Sequence, residues 1–140
     1  MITYADFKQE HGGVNYRQYW GFIQTVDELV PADTVKVYYP ANLYSDDGRL
    51  TLTLFTEKDI WILEKQKDDL NITVHKNYQV ESFSRKIQSR NRCGGSALNV
   101  SLRSGASLQF DSKADAPNED WVETFTGFID DIFDLIVKAP

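Results

Sequence analysis

The sequence predicts an α+β fold: seven short antiparallel strands curl over one core, and a C-terminal helix caps it. Three observations carry this. In Pro117–Lys138, Trp121, Val122, Phe125, Phe128, Ile129, Ile132, Phe133 and Ile136 recur at spacings of three and four. That is the apolar stripe of an amphipathic helix. Its other face is acidic, with Glu119, Asp120, Glu123, Asp130, Asp131 and Asp134. From Thr34 onward the period shortens to alternation, which is the strand signature. Tight-turn sequences such as Asp47-Gly48 and Ser104-Gly105 punctuate the alternating runs, as a meander of hairpins requires.

The elements follow in order within one domain of 140 residues. Residues 1–31 read as a helical extension. Thr3 or Asp6 starts a short helix that Gly12-Gly13 breaks, and Asn15 caps a longer one ended by Pro31. Tyr16, Tyr19, Trp20, Ile23, Val26 and Val30 form its stripe. Residues 34–113 carry the strands. Val35, Val37 and Tyr39 alternate with Lys36 and Tyr38. Leu50, Leu52 and Leu54 alternate with Thr51 and Thr53. After a turn at Glu57-Lys58-Asp59, Ile60 and Ile62 face opposite to Trp61. A polar loop, Lys65 to Asp69, leads to a strand marked by Ile72 and Val74. Val80–Gln88 is expected to point Phe83 and Ile87 inward. Leu98, Val100 and Leu102, then Leu108 and Phe110, complete the set. The capping helix occupies residues 117–138, with Asp115 or Asn118 as cap and Pro117 in its first turn.

Composition excludes several classes. The net charge of −6 argues against general attraction to DNA or anionic membranes. The N-terminus lacks a basic stretch followed by an apolar run, so no signal peptide is expected. No apolar run reaches the ~20 residues of a membrane span. A single cysteine, Cys93, forms no internal disulfide and suits a reducing, cytoplasmic setting.

Strand count and order over residues 34–138 resemble the pleckstrin-homology-like (PH-like) superfold. The hairpin VKVYYPANLYSDDGRLTLTLF, the strands DIWIL, NITVH, ESFSRKI, ALNVSL and SLQF, and the final helix carry the resemblance. VHKNYQVESFSRK also looks like the strand–turn–strand passage of small bacterial PH-like proteins, and the leading helical segment, outside the PH core, suggests an uncharacterised bacterial or phage family. The resemblance implies a seven-stranded antiparallel barrel of two near-orthogonal sheets with the helix over one open corner. It also implies a tryptophan in that helix, which Trp121 matches, though near its start. Phosphoinositide binding, the best-known PH function, needs basic residues around the first hairpin loop. Here Asp46 and Asp47 stand against only Arg49 and Lys36, so that site is not carried over.

The charge distribution offers one candidate surface. Between Ser82 and Phe110 stand Arg85, Lys86, Arg90, Arg92 and Arg103, with no acid among them. They form either a patch for an acidic partner or a balance for the acidic helix face. No aromatics interleave to stack bases, which favours the balance and disfavours nucleic acid. Tyr16, Tyr19 and Trp20 are interface-type residues, so the leading helix either docks on its own barrel or pairs with a second molecule. Cys93 beside Arg90 and Arg92 lacks a positioned base, since His11 and His75 stand at no signature spacing. No HxH, HExxH or CxxC pattern suggests a metal, and no cofactor is expected.

The expectation is a non-enzymatic, cytoplasmic module for protein or peptide interaction, with homodimerisation one form of it. PH-like sheets receive an extended segment between the fifth strand and the last helix, here rimmed by Arg85, Ile87 and helix aromatics. The alternative is a helix-grip fold holding a small ligand in an internal cavity.

Overall fold

The computed structural model describes residues 17–42, 49–66, 69–87 and 95–138, and for residues 17–20 the backbone alone. Tyr16, Arg90, Arg92, Cys93, His11, the first short helix and the Asp47-Gly48 turn lie outside these residues. So do the side chains of Tyr19 and Trp20.

Helix α1 (Arg17–Leu29) leads through a 3-10 turn at Ala32–Thr34 into a four-stranded sheet. Its strands are β1 (Val37–Ala41), β2 (Leu50–Phe55), β3 (Ile60–Gln66) and β4 (Asp69–His75), paired antiparallel in sequence order. A second sheet pairs β5 (Val80–Ile87), β6 (Ser96–Leu102) and β7 (Ser107–Asp111) in the same way. A one-turn helix α2 (Ser112–Asp115) and a 3-10 turn (Glu119–Trp121) precede α3 (Val122–Lys138).

The expected closed barrel is therefore corrected to two separate sheets under a helix. No ladder joins them among the described residues; their corners are tied by single hydrogen bonds. Where β1 meets β7, the Tyr39 hydroxyl donates to Asp115 Oδ2 (2.7 Å), and Asn42 N–H donates to the Asp115 carbonyl (3.3 Å). Where β4 meets β5, Tyr78 N–H donates to the Lys58 carbonyl (3.0 Å) and Asn77 N–H to Asp59 Oδ1 (2.9 Å).

Register explains the core. Tyr39, Thr53, Phe55 and Ile60 share one face of the first sheet through the pairs Tyr39↔Thr53 and Phe55↔Ile60. This face meets the second sheet and α3. Tyr39 packs edge-on against Phe110 (4.9 Å) and Phe125 (5.5 Å), and Phe55 packs against Phe110 (6.2 Å). Leu50, Leu52, Leu54 and Leu63 lie on the opposite face and are fully buried as well. Both faces are thus covered, and Phe22, Ile23, Val26 and Val30 of α1 join the same hydrophobic cluster. The simple alternation expected for β1 and β2 fails accordingly: Tyr38, on the Leu54 face, packs against Phe128 of α3 (5.0 Å), and Thr53 is buried too.

Other boundaries shift. The expected polar loop at Lys65 to Asp69 is narrower, since Lys65 pairs Leu70 and Gln66 pairs Asp69 within the β3–β4 ladder. Asp115 does not cap the final helix. Asp111 caps α2, accepting from Lys113 N–H and Ala114 N–H, and Asn118 caps the 3-10 turn, accepting from Asp120 N–H. Helix α3 thus starts at Val122, and Pro117 precedes it. Gly105, at φ +97°, occupies the left-handed region that the β6–β7 turn demands.

Candidate interaction groove

Strand β5 departs most from the buried pattern. Its register places Phe83 opposite Val100, Arg85 opposite Leu98 and Ile87 opposite Ser96. All three partners on β6 are buried, so Phe83, Arg85 and Ile87 stand on the core-facing row. Yet Phe83 is 39% exposed and Ile87 63%, which corrects the expectation that both are inward core residues. The strand is at the sheet's margin, with β6 on one side and no described strand on the other. Its outer edge therefore presents unpaired backbone groups. A bulge between Val80 and Ser82 ends the regular ladder at its start.

Helix α3 forms the other wall. Its core stripe, Val122, Phe125, Phe128, Ile129, Ile132 and Ile136, is buried. Trp121 and Phe133, expected in the core, are only half-buried. Phe133 instead flanks β5: its ring meets Phe83 edge-on at 5.7 Å. Near the C-terminal end of the helix a cleft of about 540 Å³ is lined by Tyr78, Val80, Phe83 and Ile136 and by the charged Glu57, Lys58, Glu81 and Arg103. Burial raises the Tyr78 phenol pKa above its ordinary value.

Arg85 spans the groove. Its guanidinium lies 5.1 Å from the Phe133 ring centre, pairs with Asp130, and donates through Nε to Ser96 Oγ (2.9 Å). Ser96 N–H donates in turn to Ser112 Oγ (2.8 Å) in the core. This basic residue thus meets the acidic helix face within the molecule, as the balancing interpretation requires. Lys86 is exposed and has no ion-pair partner among the described residues. Arg103 is not part of this cluster. It follows the far end of β6, where Leu102 pairs Val80, and its Nη1 donates to Gln79 Oε1 (3.2 Å). The supposed basic hairpin is therefore divided among separate places.

On the outer face of α3, partial burial raises the Asp131 carboxyl pKa, and Asp130 and Asp134 beside it add to the rise. Across the fold, Asp115 also has a raised pKa. Burial is the main cause, opposed by the hydrogen bonds from Asp111 N–H and the Tyr39 hydroxyl. The Tyr39 phenol is raised strongly by burial and then by Asp115. This pair fastens a corner and faces no cleft described above. No group of three His, Cys, Asp or Glu suited to a metal ion occurs among the described residues. No described helix is long and apolar enough to cross a membrane. Neither protein-family models, curated proteins nor solved structures give a match to this chain.

One signal for the groove was readable in the sequence. In VESFSRKI the inward row reads Phe-Arg-Ile, and a lone arginine between apolar positions marks a row that is not fully covered.

Proposed function

We propose that this chain is a PH-like, non-enzymatic interaction module that receives an extended segment of a partner protein between β5 and α3. The observation that carries this is β5 itself: a marginal strand with an open edge whose core-facing row leaves Phe83 and Ile87 in water. A strand added there gains main-chain hydrogen bonds along the edge and apolar cover for that row. Phe83 and Ile87 are four residues apart, so the guest carries two apolar side chains at the same spacing on one face. Lys86, without an ion-pair partner among the described residues, favours an acidic residue between them. A helix-grip interpretation calls for an internal cavity, whereas Tyr39, Phe55, Phe110 and Phe125 fill the space between the sheets. The lone Cys93 fits a cytoplasmic setting for such a module.

Selection from a displayed library of random peptides tests the proposal. Enriched peptides are expected to share two apolar residues four apart. Phe83→Asp and Ile87→Asp are each expected to weaken them about tenfold or more, the equivalent of one lost apolar contact. Peptides that bind both variants as tightly as the wild type would contradict the proposal.

A further inference from the structure

We infer that the cleft between the β4–β5 and β6–β7 turns is a binding site for a compact oxyanion of the phosphate-monoester class. The cleft measures about 470 Å³, and His75, Lys76, Asn77, Gln79, Arg103 and Ser104 contribute to its lining. Two of these side chains, Lys76 and Arg103, carry fixed positive charge. Asn77, Gln79 and Ser104 add neutral donors. No carboxylate among the described residues lines this cleft, in a chain whose net charge is −6.

Neither Lys76 nor Arg103 has an ion-pair partner among the described residues. Arg103 is steadied by the neutral oxygen of Gln79 (3.2 Å), and its backbone N–H donates to the Gln79 carbonyl (2.9 Å). These bonds orient the guanidinium without neutralising it. Arg85, by contrast, is paired with Asp130. Asp59 is the carboxylate tied to this turn. It is occupied by Asn77 N–H (2.9 Å) and does not line the cleft. Glu57 and Glu81 line the neighbouring cleft beside Phe83, which Arg103 also borders, and are absent from the lining of this one.

The frame is rigid enough to hold such a ligand. Asn77 adopts the left-handed conformation (φ 51°), which asparagine tolerates. Tyr78 N–H is anchored to the Lys58 carbonyl (3.0 Å). Cations and neutral donors arriving from two turns suit a tetrahedral anion with several acceptor oxygens. They suit a single carboxylate less well. The site adjoins the cleft beside Phe83, with which it shares Asn77, Tyr78, Gln79 and Arg103, while His75, Lys76 and Ser104 belong to it alone.

Titration of the full chain with inorganic phosphate, followed by NMR, tests this for a free anion. Vesicles of phosphatidylcholine doped with phosphatidic acid test it for a lipid headgroup. The expected result is saturable shifts at His75, Lys76, Arg103 and Ser104 with phosphate, or vesicle binding through those residues. Lys76→Gln and Arg103→Gln are each expected to weaken binding about tenfold, as loss of one charge-assisted hydrogen bond does. Lys113→Gln, a charge loss outside this lining, is expected to leave it unchanged. Shifts that sodium chloride reproduces at equal ionic strength would overturn the inference. So would a Lys76→Gln/Arg103→Gln double variant that retains wild-type affinity, or failure of both probes to bind.

Discussion

Tyr39 and Asp115 show how one buried pair can fasten two sheets. The hydroxyl on β1 donates to a carboxylate that also accepts Asp111 N–H at 3.0 Å. Tyr39→Phe removes the donor and is expected to cost about 1.5–3 kcal/mol, the range for a hydrogen bond to a charged group, as read by urea unfolding. The pH dependence has a definite sign. The folded pKa of Asp115 is raised above its unfolded value. Its contribution is therefore fully present below the unfolded pKa of about 3.9, and it is lost as pH rises through the folded pKa. Asp115→Asn keeps an acceptor but abolishes the titration. Its stability relative to wild type is expected to rise from pH 4 upward, and unfolding at several pH values checks this. Arg85 makes a different point. Asp130 is 53% exposed, so Asp130→Asn is expected to cost under about 0.5 kcal/mol after solvent screening. Arg85→Ala also loses its ring contact and the Ser96 bond, and is expected to cost about 1–2 kcal/mol.

Strand β5 and helix α3 divide the labour between interaction and core. Phe125 is fully buried among aromatic neighbours, so Phe125→Ala is expected to cost about 3–5 kcal/mol. Ile87 lies on the core-facing row yet is 63% exposed, so Ile87→Ser is expected to change stability by no more than about 0.5 kcal/mol. Thermal unfolding of the two variants separates a core element from a docking edge. Sequence periodicity identified both elements, because alternation and the three-to-four spacing report local geometry. It did not show that β5 is marginal and uncovered. Phe83 and Ile87 alternate as core residues do, and only the packing of α3, which reaches Phe83 through Phe133, determines how far cover extends. Trp121 and Phe133 were misplaced for the same reason: they belong to the apolar stripe but lie at its flanks.

At the scale of the molecule, α1 belongs to the core: Phe22, Ile23, Val26 and Val30 are buried in the same hydrophobic cluster as the strands. Leu50, Leu52 and Leu54 looked like an ordinary inward row facing one core. They lie on the face opposite Tyr39, and β2 is buried on both sides. Alternation cannot reveal which face meets which partner, so the stripe of α1 left docking on its own body and pairing with a second molecule both open. Strand number, strand order and the capping helix were legible, since turn residues and periods specify them locally. The separation of Arg103 from Arg85 was not legible either. The two share a hairpin in sequence, but β6 carries them roughly 16 Å apart at ~3.3 Å per residue. If α1 belongs to the core, Ile23→Ala is expected to cost about 2–5 kcal/mol within a single cooperative urea transition. A dispensable appendage would show no such loss.

Hydrogen exchange along β5, with and without a selected peptide, tests the central claim most directly. In the free protein, amides of Glu81–Ile87 that do not bond to β6 are expected to exchange quickly, because the edge is open. A bound peptide is expected to slow those amides and leave β2 and β3 unchanged. A peptide that binds tightly while β5 exchanges as in the free protein would contradict the account.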